Sequence, residues 1–149
     1  MKKKFAFSLY LMNALAMLAI GWAYQFSHEF MPYHAEVIGT QWIDLTDVQQ
    51  ILYIGMMRTE AAGFLATSTA LLILLFIPFR QEQPWSISAM TVIGLVEYLP
   101  SAIATFNVYK ATGASTPWLA LIVGMFTLLL AWLLANADFK TTKERINSD

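Results

Sequence analysis

The sequence contains no cysteine and only two histidines, and charged residues make up 13% of its 149 positions. Without a thiol there is no disulfide exchange, no cysteine-ligated metal cluster and no S-acylation. Nine basic and ten acidic residues give a net charge of −1, which leaves no basic field to draw in nucleic acid. Scarce charge also excludes an ordinary soluble domain, where about a quarter of the residues are charged. Internal repeats and low-complexity segments are absent as well.

What is present is apolar: 58% of the residues are hydrophobic and the mean hydropathy is +0.55. Runs carrying at most one charge cover 5–26, 61–79, 85–106 and 117–137, which are 22, 19, 22 and 21 residues long. Each is long enough as a helix to cross a hydrocarbon core of about 30 Å. The expected fold is all-α, a single transmembrane domain over 1–149 forming a four-helix bundle in the lipid bilayer. The connections between spans are too short to hold a nucleotide-binding or catalytic soluble domain.

Charge placement orients the spans. Lys2, Lys3, Lys4, Arg80, Lys140, Lys143 and Arg145 fall on one side, and only Lys110 stands clear of the helices on the other. The positive-inside rule then places both termini in the cytoplasm. A secretory signal would also begin with Lys-rich sequence before an apolar run. This run exceeds the ~7–15 residues of such a signal, however, and ends in Trp22, Tyr24 and Phe26 where a peptidase requires small residues. Those aromatics fit an interfacial belt.

The outer connection 27–50 holds Glu29, Glu36, Asp44 and Asp47 and no Lys or Arg. Pro32 is expected to end any helix continuing from the first span and Gly39 to permit a turn, which makes 30–41 irregular. Thr46-Asp47-Val48-Gln49 has capping-box form, and Val48, Ile51, Leu52 and Gly55 recur at helical spacing. The second helix therefore starts near 47, about ten residues outside the bilayer, and runs to Phe79. Thr116 and Pro117 have the form of an N-cap and first-turn proline for the last helix.

Small residues recur on one face of every span: Asn13, Ala16 and Ile20; Thr59, Gly63, Ala66 and Ala70; Gly94, Glu97, Ser101 and Ala104; Ala120, Gly124, Thr127 and Ala131. Such stripes let membrane helices approach closely and are expected to face the bundle interior. Glu97 stands on one of them. A carboxyl group in hydrocarbon costs about 2.5–3.5 kcal/mol, so it either ties two helices together or carries function. Arg58 is the obvious countercharge, but helix geometry puts its Cα ~13 Å above Glu97 along the membrane normal, and Glu60 faces another side of the same helix. The expected site is an outward-opening pocket with Glu97 at its floor, Arg58 and Glu60 at its rim, and Tyr98, His28 and His34 contributing.

His28 and His34 are six residues apart with Pro32 between, a spacing that suits neither a helical metal pair nor a tight turn, and no third imidazole exists. No metal and no cofactor are expected. No nucleophile–histidine–acid ordering, Gly-rich phosphate loop or paired inward carboxylates on neighbouring spans occurs, and the eight methionines show no copper-binding pattern.

The segments His28-Glu29-Phe30-Met31-Pro32-Tyr33-His34, Met57-Arg58, Pro78-Phe79-Arg80 and Thr112-Gly113-Ala114-Ser115-Thr116-Pro117-Trp118 resemble those of a group of small four-span bacterial membrane proteins without an assigned function. The general plan is also similar to the DoxX-like four-helix proteins. The resemblance spans nearly the whole chain and implies a bacterial inner-membrane setting. It supplies no reaction and no catalytic residue.

Three function classes fit these features. The first is a binding or accessory protein whose pocket takes a small amphiphile or lipid, for which Trp22, Tyr24, Tyr33, Trp42 and Tyr98 would make an aromatic rim. The second is a proton-coupled transporter or channel component using Glu97. Four spans are meagre for alternating access unless the protein forms a homo-oligomer. The third is an integral-membrane enzyme acting on a lipid-like substrate, with Glu97 as acid or base. The binding protein is the leading expectation, and enzymatic activity is not expected to be its role.

Overall fold

The computed structural model describes residues 2–146, with side chains described for 2–139. Every regular element among them is helical: α1 (Lys2–Phe26), α2 (Pro32–Ile38), a 3-10 turn (Trp42–Asp44), α3 (Asp47–Leu74) widening into a π-turn (Leu75–Phe79), α4 (Trp85–Thr112) and α5 (Trp118–Ile146). Four stretches, Lys2–Phe26, Asp47–Phe79, Trp85–Thr112 and Trp118–Phe139, are long and apolar enough to cross a membrane. The protein is a multi-pass helical membrane bundle, and large apolar side chains such as Val96, Phe126 and Leu133 stand exposed on its outer surface.

The four long helices form a ring in which α1 packs on α3 and α5, and α4 packs on the same two. One end of the ring gathers the start of α1, the α3–α4 turn and the end of α5. There Lys3 Nζ meets Glu82 Oε1 at 2.6 Å, the Lys3 amide donates to Asp138 Oδ2 at 3.1 Å, and the ammonium lies over the Phe139 ring. We call this the terminal end and the opposite one the cap end.

The terminal end is filled by large side chains. Tyr10, Leu71, Leu75, Phe79, Ile87, Met90 and Leu128 are all fully buried. Tyr10 is anchored by Thr91 Oγ1 at 2.8 Å and the Ile87 carbonyl at 3.2 Å. Phe79 packs against the rings of Phe7, Tyr10 and Phe139. Pro78 sits inside the last turn before it and has no amide to close a regular α-turn, which accounts for the local π-widening.

The inward faces are rotated from the small-residue stripes. On α4 the buried line runs through Ile87, Thr91, Gly94, Tyr98 and Ala102, and Ala104 is exposed. On α3 it runs through Met57, Ala61, Phe64, Ser68 and Leu71, and Thr59 and Ala66 are exposed. The rotation follows where a neighbour's bulk lands: small residues mark contact points, and only some of them, Gly94 included, fall on the buried line. A Cβ on Gly124 would stand 2.6 Å from Tyr98 Cζ, and one on Gly94 would stand 2.5 Å from a Leu128 methyl.

The connection 30–41, expected to be irregular, holds a helix. Pro32 begins α2 instead of ending α1, because its missing amide is unneeded in a first turn, and Gly39 closes it at φ 65° with its N–H on the Ala35 carbonyl at 2.9 Å. After the 3-10 turn, α3 starts at the Thr46 capping box: Gln49 N–H donates to Thr46 Oγ1 at 3.4 Å and the Thr46 N–H to Gln49 Oε1 at 2.9 Å. These pieces build a second apolar cluster of Tyr24, Phe30, Met57 and Ala61, packed round by Trp42 and Tyr53 among others. The outer turns of α3 still expose Val48, Ile51, Leu52 and Met56.

Candidate functional site

Between the two clusters lies a cavity of about 510 Å³. Its walls come from the cap-end halves of α1 and α5, with Met12, Ala16 and Ile20 on one side and Ala120, Val123 and Gly124 on the other. α3 and α4 supply Phe64, Tyr98 and Thr105, and the start of α2 lies across the top through Met31, Pro32 and Tyr33. Small residues make the space: α1 and α5 present Ala16 and Ala120 here, in place of large buried side chains such as Tyr10, Leu75 and Leu128 at the terminal end, and Gly124 takes the Tyr98 ring. Met12 is 50% exposed and Val123 60%, so the cavity opens sideways between α1 and α5 onto the outer surface of the bundle.

Its floor is a polar junction of three helices. Asn13, 2% exposed, donates through Nδ2 to the Leu9 carbonyl and to Thr127 Oγ1, both at 2.9 Å, and accepts at Oδ1 from the Tyr98 hydroxyl at 3.1 Å. Thr127 passes its own proton to the Gly124 carbonyl at 2.8 Å. All the donors are used, and the capacity left over is acceptor lone pairs on Asn13 and Tyr98.

The roof is tied down at two points. The Tyr24 and Tyr33 hydroxyls meet at 2.6 Å, and Glu36 Oε2 accepts the Ser115 N–H from the α4–α5 connection at 2.8 Å. The Thr116 hydroxyl, expected to cap α5, donates to the Thr105 carbonyl of α4 at 2.8 Å and thus holds that connection in place. Burial, reinforced by the bond to Tyr24 and by the nearby Glu60 charge, raises the Tyr33 hydroxyl well above the usual phenol range. Burial lowers His34, whose Nδ1 accepts the Met31 N–H at 3.2 Å and whose ring lies against Phe30, Tyr33 and Tyr53.

Of the six residues singled out in the sequence, Glu60 and Tyr98 line this cavity. Glu97 lies on the seam between α3 and α4, its carboxyl group over Gly63 and its Oε2 accepting from Thr67 Oγ1 at 3.2 Å. Arg58 is exposed on the outside of α3 beside Trp42, Gln50 and Ile54, and structure brings no contact between it and Glu97. His34 belongs to the roof and His28 is exposed. No group of His, Asp and Glu among the described residues could hold a metal ion. Asn13, Thr127 and Ala16 were visible as parts of small-residue stripes, but their role as floor and wall was not. A pattern that could have revealed it is the pairing of small residues on α1 and α5 at one depth without a large residue on either to fill the gap. No family model, curated protein or solved structure matches the chain.

Proposed function

We propose that this is an inner-membrane protein of bacteria, with both termini in the cytoplasm, whose outward-side cavity binds a small amphiphile or lipid-like ligand. One observation carries the reading: a cavity of about 510 Å³, almost wholly apolar, opens sideways between α1 and α5 onto the outer surface of the bundle. Its volume falls within the ~300–1,000 Å³ of small-molecule sites. A lateral opening suits a ligand that arrives from the membrane, and the tethered α2 above it separates the cavity from water. The concentration of Lys and Arg at the terminal end supports the orientation.

Mass spectrometry of the protein purified in a mild detergent tests the ligand. A defined apolar molecule should be retained by the natural chain and lost from Ala120→Phe, which fills the cavity from α5 at an exposed position. Equal retention by both would overturn the reading. Orientation is tested in this cysteine-free chain by Ser115→Cys, at an exposed position of the α4–α5 connection, which should react with an impermeant maleimide in intact cells, against the exposed Arg80→Cys, which should not. The reverse pattern would invert the topology.

A further inference from the structure

The cavity carries an acid without a countercharge. Among the described residues lining it, Glu60 is the only carboxyl group, and no Lys, Arg or His is present. Glu60 makes no hydrogen bond or ion pair with any described residue. Arg58, two positions away, is turned to the separate recess on the outside of α3. Glu60 is exposed at the edge of the cavity, and where that edge meets hydrocarbon a cation seated beside the carboxylate offsets the cost of its charge.

The surroundings of Glu60 fit a cation. Tyr24 and Phe64 meet edge to face with centroids 6.5 Å apart, Tyr33 joins them through its hydroxyl bond to Tyr24, and the Glu60 charge acts on both phenols. All four residues line the cavity. Aromatic rings beside an acid are the recognition chemistry of ammonium groups. An anionic head would meet repulsion from Glu60 and, at the floor, only the spare lone pairs of Asn13 and Tyr98.

We propose that the cavity takes an amphiphile with an ammonium head, the head placed at Glu60 among Tyr24, Tyr33 and Phe64 and the apolar chain running between α1 and α5 towards Asn13. This rests on the ligand-binding reading above and names the ligand's head.

The test compares two probes of equal chain length, decyltrimethylammonium and decanol, binding to the full chain in a maltoside detergent, read by native mass spectrometry. The ammonium probe should bind at least ten times more tightly. Glu60→Gln should abolish that preference and leave decanol binding as it was, and Glu60→Asp should keep most of it. Equal binding of the two probes to the natural chain, or a preference that survives Glu60→Gln, would overturn the ammonium assignment alone. Failure of both probes to bind, with Ala120→Phe also without effect on retained ligand, would overturn the cavity reading itself. Phosphatidylethanolamine distinguishes the sources: competition with the ammonium probe assigns the site to a lipid head, and ammonium binding without such competition assigns it to a free cationic amphiphile.

Discussion

The two ends of the bundle are built from the same four helices by opposite means. At the terminal end, Tyr10, Leu75, Phe79 and Leu128 pack together as fully buried side chains. At the cap end, α1 and α5 face each other with Ala16, Ala120 and Gly124, and a short helix roofs the gap. In hydrocarbon, helices associate through packing, because lipid chains are as apolar as the side chains. A membrane bundle that gives up packing at one end therefore draws more of its stability from the other.

That contrast predicts the largest effects. Phe79→Ala and Leu128→Ala remove fully buried side chains and should cost about 3–5 and 2–5 kcal/mol respectively. Ile20→Ala and Val123→Ala enlarge a space that already exists and open it further to lipid, so each should cost less than about 1 kcal/mol. Thermal unfolding of the four variants in one detergent measures the difference. Equal losses at both ends would mean that the cavity is filled and packed in the membrane, and the contrast would collapse.

A second prediction sharpens where the functional end stops. Glu97 sits at the depth of the cavity in sequence terms, yet its carboxyl group lies on the α3–α4 seam against Gly63 and Thr67. Glu97→Gln retains an acceptor for the Thr67 hydroxyl and should leave both stability and retained ligand unchanged. Glu97→Leu loses that bond and should lower stability by about 1 kcal/mol. If the Gln variant folds normally but loses its ligand, Glu97 works with the cavity and the seam is part of the site.

Legibility in the sequence followed the same division. Long apolar runs carry their structure in composition alone, so the four membrane helices and the all-helical class were readable from the residues, as was the Thr46 cap from its local pattern. Helix rotation was not readable from small residues, because Gly124 and Gly94 mark where a neighbour's Tyr98 and Leu128 land, and that depends on the partner helix. The roof was missed for a different reason. Pro32 was weighed as a helix breaker, although Pro32 and Gly39 stand at the two ends of α2 in the order that starts and stops a short helix. The site was half legible: an acid and a tyrosine can be picked out as unusual in a span, but a cavity is defined by what does not fill it.

The smallest predicted effect concerns the roof alone. His34 is held below its ordinary value of 6.5 by burial, so the closed roof binds a proton less readily than the open one. Above about pH 6.5 both forms are neutral at this residue and it contributes nothing to pH dependence. As pH falls below that point the open form takes up the proton first, and the closed form loses relative stability until its own lowered value is passed. Protonation also removes the Nδ1 lone pair that accepts the Met31 N–H at the head of α2. Amide exchange over 32–38 should therefore quicken, relative to that over the middle of α4, between pH 7.5 and 5.5 after correction for intrinsic rates. His34→Gln should remove most of the change if His34 governs it. A pH response of the same size in that variant would take His34 out of the roof's pH dependence, and no response in the natural chain would show that the roof does not open on this timescale at all.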